Sequence, residues 1–442
     1  MPNLLARRRF ILTAGLSVAG GALAPAVSRS APEAVAPEAP GDWGWVRDQF
    51  EASRDWAHFA SFFIASHPRP VRDAIEKLRR EMDENPFAVV EHGLFSKPDE
   101  VRAAAASYLG GAPDEVALTR STTEGLALLY AGLALRPGQE ILATTHDHYS
   151  HHESIRIAGR RCGASERRIT LYDDPARASE DEIADRMRRA IGPKTRAVGV
   201  TWVHSSTGVK LPVRRIADVV AEANKSRADA DRILLIVDGV HGLGVEDTAV
   251  ATLGCDFFAA GTHKWMFGPR GTGIVWGRSA AWANIQPTIP SFEEAPYNAW
   301  MEGREPGATR AAWVSPGGFH AYEHMWALPA AFAFHARIGR PRIAARIHEL
   351  NTRIKDGLSA ARGVRIATPR DVRLSSGLVA FEVAGRTPDD VVQRLATNKI
   401  IASTSPYRPS YVRLAGSLLN TPDEVDIAVR AVREMGNKGG GA

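Results

Sequence analysis

Gly261-Thr262-His263-Lys264-Trp265-Met266-Phe267-Gly268-Pro269-Arg270-Gly271-Thr272-Gly273 is the stretch on which the fold turns. It follows the apolar run Phe257-Phe258-Ala259-Ala260 and carries one lysine, Lys264, beside Trp265, Met266 and Phe267. Glycines at 261, 268, 271 and 273 crowd the segment. Glycine admits tight turns and close backbone approach, so an exposed regular helix is not expected here. An amine packed among such side chains loses its proton more readily, because burial penalises the charged form, and then serves as nucleophile or base. An ordinary surface lysine is the alternative.

Upstream, Ile233-Leu234-Leu235-Ile236-Val237 reads as a buried strand that ends in Asp238, with Gly239 and His241 behind it. A carboxylate at the end of a buried strand is costly unless a cation meets it; an Asp that caps the following turn is the plainer reading. In open parallel sheets ligands sit beyond the carboxyl ends of the strands, so the residues after each strand matter most. Val116–Thr119 runs into Ser121-Thr122-Thr123-Glu124-Gly125 and a helical stretch, Leu126–Leu135. Hydroxyls and free N–H groups at a helix start form a site for phosphate, or else a simple N-cap. Ile141–Thr145 is followed by His146-Asp147-His148-Tyr149-Ser150-His151-His152. Four histidines on one loop invite a metal reading. No second cluster at ligand spacing accompanies them, so no metal is expected; a ring from this loop stacking on a flat cofactor is the preferred role.

Further apolar runs, Ala197–Val203 among them, alternate with helical stretches at Asp181–Ile191 and Ile216–Asn224. Continuous runs of this kind suit strands covered on both faces, and strand–helix alternation predicts an α/β fold with a mostly parallel sheet. Val71, Ile75, Leu78 and Met82 mark one amphipathic helix, and Ile343, Ile347, Leu350, Ile354 and Leu358 a longer one. After the second, short strands and helices such as Leu378–Val383 and Asp423–Glu434 predict a smaller α+β domain. The expected organisation is a signal segment at 1–26, a linker and N-terminal segment at 27–54, a large domain at 55–320, a small C-terminal domain at 321–435 and a loose tail at 436–442.

The chain has 442 residues, 44% apolar and 24% charged, which is ordinary globular usage and excludes a disordered or fibrous chain. Two cysteines, Cys162 and Cys255, exclude a disulfide scaffold. Three positive charges of the net +5 sit in Arg7-Arg8-Arg9, so no concentrated basic face and no nucleic-acid partner are expected. Those arginines precede Phe10-Ile11-Leu12, an apolar run to Ala24 and a small-residue site at Ala24-Pro25-Ala26. This is a signal-peptide pattern of twin-arginine (Tat) type, too short for a stable membrane span. It predicts a periplasmic protein handled by the Tat export machinery, a route for proteins that fold, often around a cofactor, before export.

A lysine able to hold a carbonyl, an acid for a ring nitrogen and a helix-terminal phosphate cup together specify pyridoxal phosphate. With these residues in place, residues from about 55 to 435 resemble the fold type I pyridoxal-phosphate enzymes of the class V aminotransferase group, which includes cysteine desulfurases and isopenicillin N epimerase. Val203-His204-Ser205-Ser206-Thr207-Gly208 resembles the epimerase-type version of a further cofactor loop. The resemblance implies that Lys264 holds the cofactor covalently and that Asp238 keeps its ring nitrogen protonated. It places His241 and Ser205 on the phenolic-oxygen side, and Ser121, Thr122, Thr123 and His263 at the phosphate. The ring-stacking position falls on His148 or Tyr149. Arg413, in Val412-Arg413-Leu414-Ala415-Gly416-Ser417, matches the arginine that clamps a substrate carboxylate, a task suited to bidentate guanidinium. Gly318 and Phe319 match a segment that reaches the phosphate of a neighbouring subunit, which implies a homodimer.

The chain departs from the desulfurases in one respect. They carry a catalytic cysteine on a C-terminal loop, and Ile400–Tyr411 here has none. Gly261 also stands where a phosphate-binding serine is frequent. Ala65-Ser66-His67-Pro68-Arg69-Pro70-Val71-Arg72, with the export signal, resembles exported enzymes of siderophore (pyoverdine) maturation. The resemblance thus implies an exported enzyme acting on a small amino acid or amino-acid-derived group, by transamination or, alternatively, epimerisation. A periplasmic binding protein without turnover is the reading from another class, against which Lys264 and Asp238 stand.

Overall fold

The unbroken apolar runs of the first part of the chain become strands covered on both faces. In the computed structural model, which describes residues 42–439, seven strands form one sheet. They are β1 (Val116–Thr119), β2 (Glu140–Thr144), β3 (Ser165–Ile169), β4 (Thr195–Thr201), β5 (Leu234–Asp238), β6 (Phe257–Gly261) and β7 (Gly273–Gly277). Their order is β1-β7-β6-β5-β4-β2-β3, parallel except for β7, which runs against both neighbours.

Side chains alternate across a strand, and both sides are apolar here. On β5, Leu235 and Val237 join one core with Ile183, Ile216 and Val71, while Leu234 and Ile236 join another with Leu126, Leu129 and Ile155. The helices that cover the sheet are therefore α1 (Arg69–Glu84), α4 (Glu180–Ala190) and α5 (Val213–Asn224) on one face, and α2 (Thr122–Gly132) and α3 (Tyr149–Cys162) on the other. The α/β expectation holds. Edge strand β3, with sequence Ser-Glu-Arg-Arg-Ile, has no apolar run to announce it; its Arg167 pairs with Glu140 of β2 at 2.7 Å. Charge on an edge strand discourages pairing with other chains.

A second, antiparallel sheet follows: β8 (Val364–Ile366), β9 (Val379–Val383), β10 (Ser403–Thr404) and β11 (Val412–Leu414), in the order β10-β11-β9-β8. It packs with α6 (Arg340–Ser359) and α7 (Pro422–Gly439) through Leu350, Ile354, Leu358, Val425 and Val432. A further core joins Trp265 and Phe267 to Ile343, Ile347 and Ala380, so the lysine-bearing segment lies where the two sheets' cores meet.

Within the segment expected at 27–54, residues 42–54 are packed: Trp43–Asp48 is helical, Val46 and Phe50 are buried, and the Phe50 ring lies 4.9 Å from that of Phe267. One sequence expectation needs correction. The tail is not loose from 436, because α7 continues to Gly439. The signal segment and the rest of residues 1–41 lie outside the described residues. Among the described residues no helix is long and apolar enough to cross a membrane. Both cysteines are free thiols.

Candidate active site

The carboxyl ends of β1, β2, β4, β5 and β6 open into one cavity of about 400 Å³, within the usual range for a small-molecule site. Ser121, Thr122 and Thr123 enter it from the β1–α2 turn and His148 from the loop after β2. Ser205 follows β4, Asp238 and His241 close β5, His263 and Lys264 follow β6, and Arg413 reaches in from β11 of the second sheet. Of the residues expected at the site, three are elsewhere. Tyr149 is the first residue of α3 and 72% exposed, so of the two stacking candidates only His148 lines the cavity. Phe319 is 79% exposed, and Gly318 lines a separate pocket beside Phe292 and Tyr322.

Lys264 is fixed by a short, tight turn. Phe267 takes a left-handed backbone (φ 53) that non-glycine residues adopt at a cost, and its buried ring anchors the turn. Burial pulls the Lys264 amine down to about 8; Asp238 opposes the shift and Arg413 adds to it. Its Nζ lies 3.4 Å from His241 Nε2. Trp265 Nε1 donates to His241 Nδ1 at 3.3 Å, which leaves the proton of the neutral ring on Nε2, facing the amine. His241 stays neutral, held well below its ordinary value by burial and by the cations Lys264 and Arg413.

Asp238 is buried, and burial raises its pKa, partly offset by His151, the Val240 N–H and Lys264. A carboxylate so placed gains from a cation against it. At the other end of the cavity the Ser121 hydroxyl accepts from Glu124 N and caps α2. The first-turn N–H groups of α2 have no intrahelical acceptor. Thr122 Oγ1 accepts from Gly261 N at 2.7 Å, and the buried His263 Nδ1 has no partner. A Cβ at Gly261 would fall 2.9 Å from the His263 ring and 3.3 Å from Thr122 Oγ1. Glycine at 261 thus keeps this end open, with helix N–H groups, hydroxyls and a free imidazole nitrogen around it. A buried acid at one end and an anion cradle at the other fit pyridoxal phosphate, with Lys264 to bind its aldehyde.

Arg413 is held for a third task. It donates to Ser205 O and Thr404 O, both at 2.8 Å, and to Ser403 Oγ at 3.1 Å, and it lies 4.8 Å over the Phe62 ring. Guanidinium carries five N–H donors, so these bonds leave one on each terminal nitrogen, the set that a carboxylate accepts. Burial lowers its pKa to about 10, which still leaves it charged at neutral pH.

The histidine loop disperses rather than converging. His146 stacks on Tyr172 at 3.9 Å, His148 faces the cavity, His151 bonds the Tyr130 hydroxyl, and His152 Nε2 meets Thr144 O. Sequence reasoning missed Phe62, Phe63 and Ile64 at the cavity wall, as well as Ser150, Thr201 and Pro406. It also gave no role to Tyr407, whose hydroxyl meets Ser205 Oγ at 2.7 Å. The bulky triplet Phe62-Phe63-Ile64 was the one available signal, since Phe63 and Ile64 are apolar and exposed.

Comparison with known proteins agrees with this geometry. The sequence model of the family "Aminotransferase class-V" matches residues 65–408. An isopenicillin N epimerase of Amycolatopsis lactamdurans is 27% identical over 406 residues, covering 89% of this chain and 98% of the relative. A probable cysteine desulfurase of Halalkalibacterium halodurans is 26% identical over 339 residues, covering 73% of this chain and 77% of the relative. A solved structure of a C-DES mutant with glycine covalently linked to its PLP cofactor matches with a TM-score of 0.78 at 23% identity, over 88% of this chain and 99% of that one. At that identity the structural likeness shows the fold, which is that of the fold type I pyridoxal-phosphate enzymes. With its family match spanning most of the chain, and a cavity suited to the cofactor, this protein belongs to the aminotransferase class-V family and takes pyridoxal phosphate.

Proposed function

We propose that the protein moves a proton at the Cα of an amino acid or amino-acid-derived amine, with transamination as the overall reaction, the amino group passing by way of the cofactor to a carbonyl co-substrate such as a 2-oxo acid. The observation that carries this reading is Lys264: a half-buried amine, lowered to about 8 by desolvation, in one cavity with Asp238 and Arg413. When bound, pyridoxal phosphate supplies an electron sink for the charge left at Cα. Arg413 binds the substrate carboxylate with its two remaining N–H groups. Lys264 Nζ would hold the cofactor's aldehyde at rest and, once free, would remove the Cα proton as general base. Asp238 would supply the negative charge that keeps the ring nitrogen of a bound cofactor protonated. Phe62, Phe63 and Ile64 give one wall of the cavity an apolar surface.

A second reading, epimerisation, is favoured by the near full-length similarity to isopenicillin N epimerase. The two differ in where the proton returns. Persulfide chemistry is not proposed, because Ile400–Tyr411 lacks cysteine and burial pushes the Cys255 thiol up to about 12. The test is incubation of holoenzyme with candidate amines in deuterated water, with products read by mass spectrometry and chiral separation. A keto product supports transamination, an inverted deuterated amine supports epimerisation, and unchanged amine with no deuterium uptake across the panel contradicts both.

The proposal includes export and a homodimer. Support for export is the Arg7-Arg8-Arg9 pattern, and with Ala65–Arg72 it is also the support for a siderophore-maturation setting. Support for the dimer is apolar exposure around Gly318: Phe319 is 79% exposed and its ring lies 6.2 Å from that of Phe292, also exposed. Cell fractionation and sedimentation test these points directly.

A further inference from the structure

Behind Asp238 lies a chain of buried polar groups that the proton transfer at Lys264 leaves unused. His151, on α3, is fully buried, and its Nε2 lies 2.7 Å from the Tyr130 hydroxyl on α2. Its Nδ1 has no hydrogen-bond partner and lies 4.0 Å from Asp147 Oδ1. The Asp147 carboxylate, also buried, accepts from Thr144 N at 2.7 Å and from Thr201 N at 2.9 Å. Thr201 is the register partner of Asp238 across β4 and β5. The charged and titratable groups that act on His151 are Asp147 and Asp238, with His152 and His148 opposing them. Gly199 on β4 makes room for the contact: a Cβ there would fall 2.2 Å from the Tyr130 oxygen and 2.7 Å from His151 Nε2.

The tautomer of His151 follows from these partners. Burial keeps the Tyr130 phenol protonated, so it has a proton to give, and His151 Nε2 is the acceptor beside it. The ring proton of the neutral imidazole then sits on Nδ1, on the side of the Asp147 carboxylate. The other tautomer would aim a lone pair at the Asp147 carboxylate and leave the phenol without that acceptor. We infer that His151 is a positioning residue, locked by Tyr130 as the Nδ1–H tautomer, whose N–H faces the Asp147 carboxylate and, through Asp147 and its Thr201 N–H partner beside Asp238, steadies the charge that Asp238 would present to the cofactor's ring nitrogen. The inference holds whichever reaction the enzyme runs, because it concerns Asp238, the acid for the cofactor's ring nitrogen, rather than the fate of the proton.

The test begins with the unmodified holoenzyme. Nitrogen NMR of histidine-labelled protein, with the His151 signals assigned by their loss in His151→Asn, reads the tautomer directly. A protonated Nδ1 and a bare Nε2 are expected; a protonated Nε2 overturns the inference without recourse to any further variant. Tyr130→Phe then removes only the hydroxyl. In a variant with a cooperative melt, the second tautomer is expected to appear and pyridoxal phosphate to bind roughly three- to tenfold more weakly, the scale of one lost hydrogen bond. An unchanged tautomer together with unchanged cofactor affinity contradicts the assigned role.

Discussion

Lys264 Nζ lies 3.4 Å from His241 Nε2, and the contact has one favourable polarity. Trp265 occupies the other imidazole nitrogen as a donor, so His241 presents N–H to the amine. A neutral amine accepts that hydrogen; an ammonium would repel it. The pair therefore favours an unprotonated Lys264, as burial does.

The sign of the resulting pH effect is fixed. In cofactor-free protein Lys264 titrates near 8 against an ordinary 10.5. Between those values the unfolded chain binds more protons than the native one, so stability rises with pH through that window, and the full penalty applies below it. Lys264→Met removes the term. Urea midpoints of the two cofactor-free proteins, compared across the window, should show wild type gaining on the variant by a total on the order of 3 kcal/mol. Parallel curves would show that the amine is not held neutral.

Arg413→Lys keeps a positive charge but loses the fork and the bonds to Ser205 O, Thr404 O and Ser403 Oγ. KM for amines that carry a carboxylate should rise about 10- to 100-fold, the range of a lost charged hydrogen bond. Decarboxylated analogues should change far less. An equal effect on both classes argues that Arg413 does not read the carboxylate.

His148 and Tyr149 are neighbours with opposite fates. His148→Ala should weaken cofactor retention in dialysis up to about tenfold, in line with the ~0.5–1.5 kcal/mol of a stacked aromatic contact. Tyr149→Ala, at an exposed position, should leave retention within about twofold. The reverse ranking would assign the stacking ring to Tyr149.

Gly239 follows Asp238 and admits no side chain. A Cβ there would fall 1.8 Å from the Phe258 ring. Gly239→Ala should destabilise the protein by about 1–3 kcal/mol through overpacking and weaken cofactor binding by displacing Asp238. A wild-type denaturant midpoint with full cofactor occupancy would show that the strand end tolerates the change.

Much of the site was legible because its residues follow strands whose apolar runs are plain in the sequence. Asp238 closes Ile233–Val237 and Lys264 follows Phe257–Ala260. What stayed hidden depends on contacts distant in the chain or on backbone geometry. The choice between His148 and Tyr149 is made by the N-cap of α3: His148 has extended backbone, with Nδ1 bonded to Ser150, while Tyr149 starts the helix and faces out. The helix Trp43–Asp48 went unread because the Phe50–Phe267 packing beside it spans most of the chain. Strand β3 was hidden by its charge, which an edge position permits.

The assignment of Lys264 is tested most directly by borohydride reduction of the purified holoenzyme, followed by proteolysis and peptide mass spectrometry. The expected result is one phosphopyridoxyl adduct on the peptide carrying Lys264, absent from Lys264→Ala protein. An adduct on another lysine, or none in protein that retains the cofactor, would contradict it.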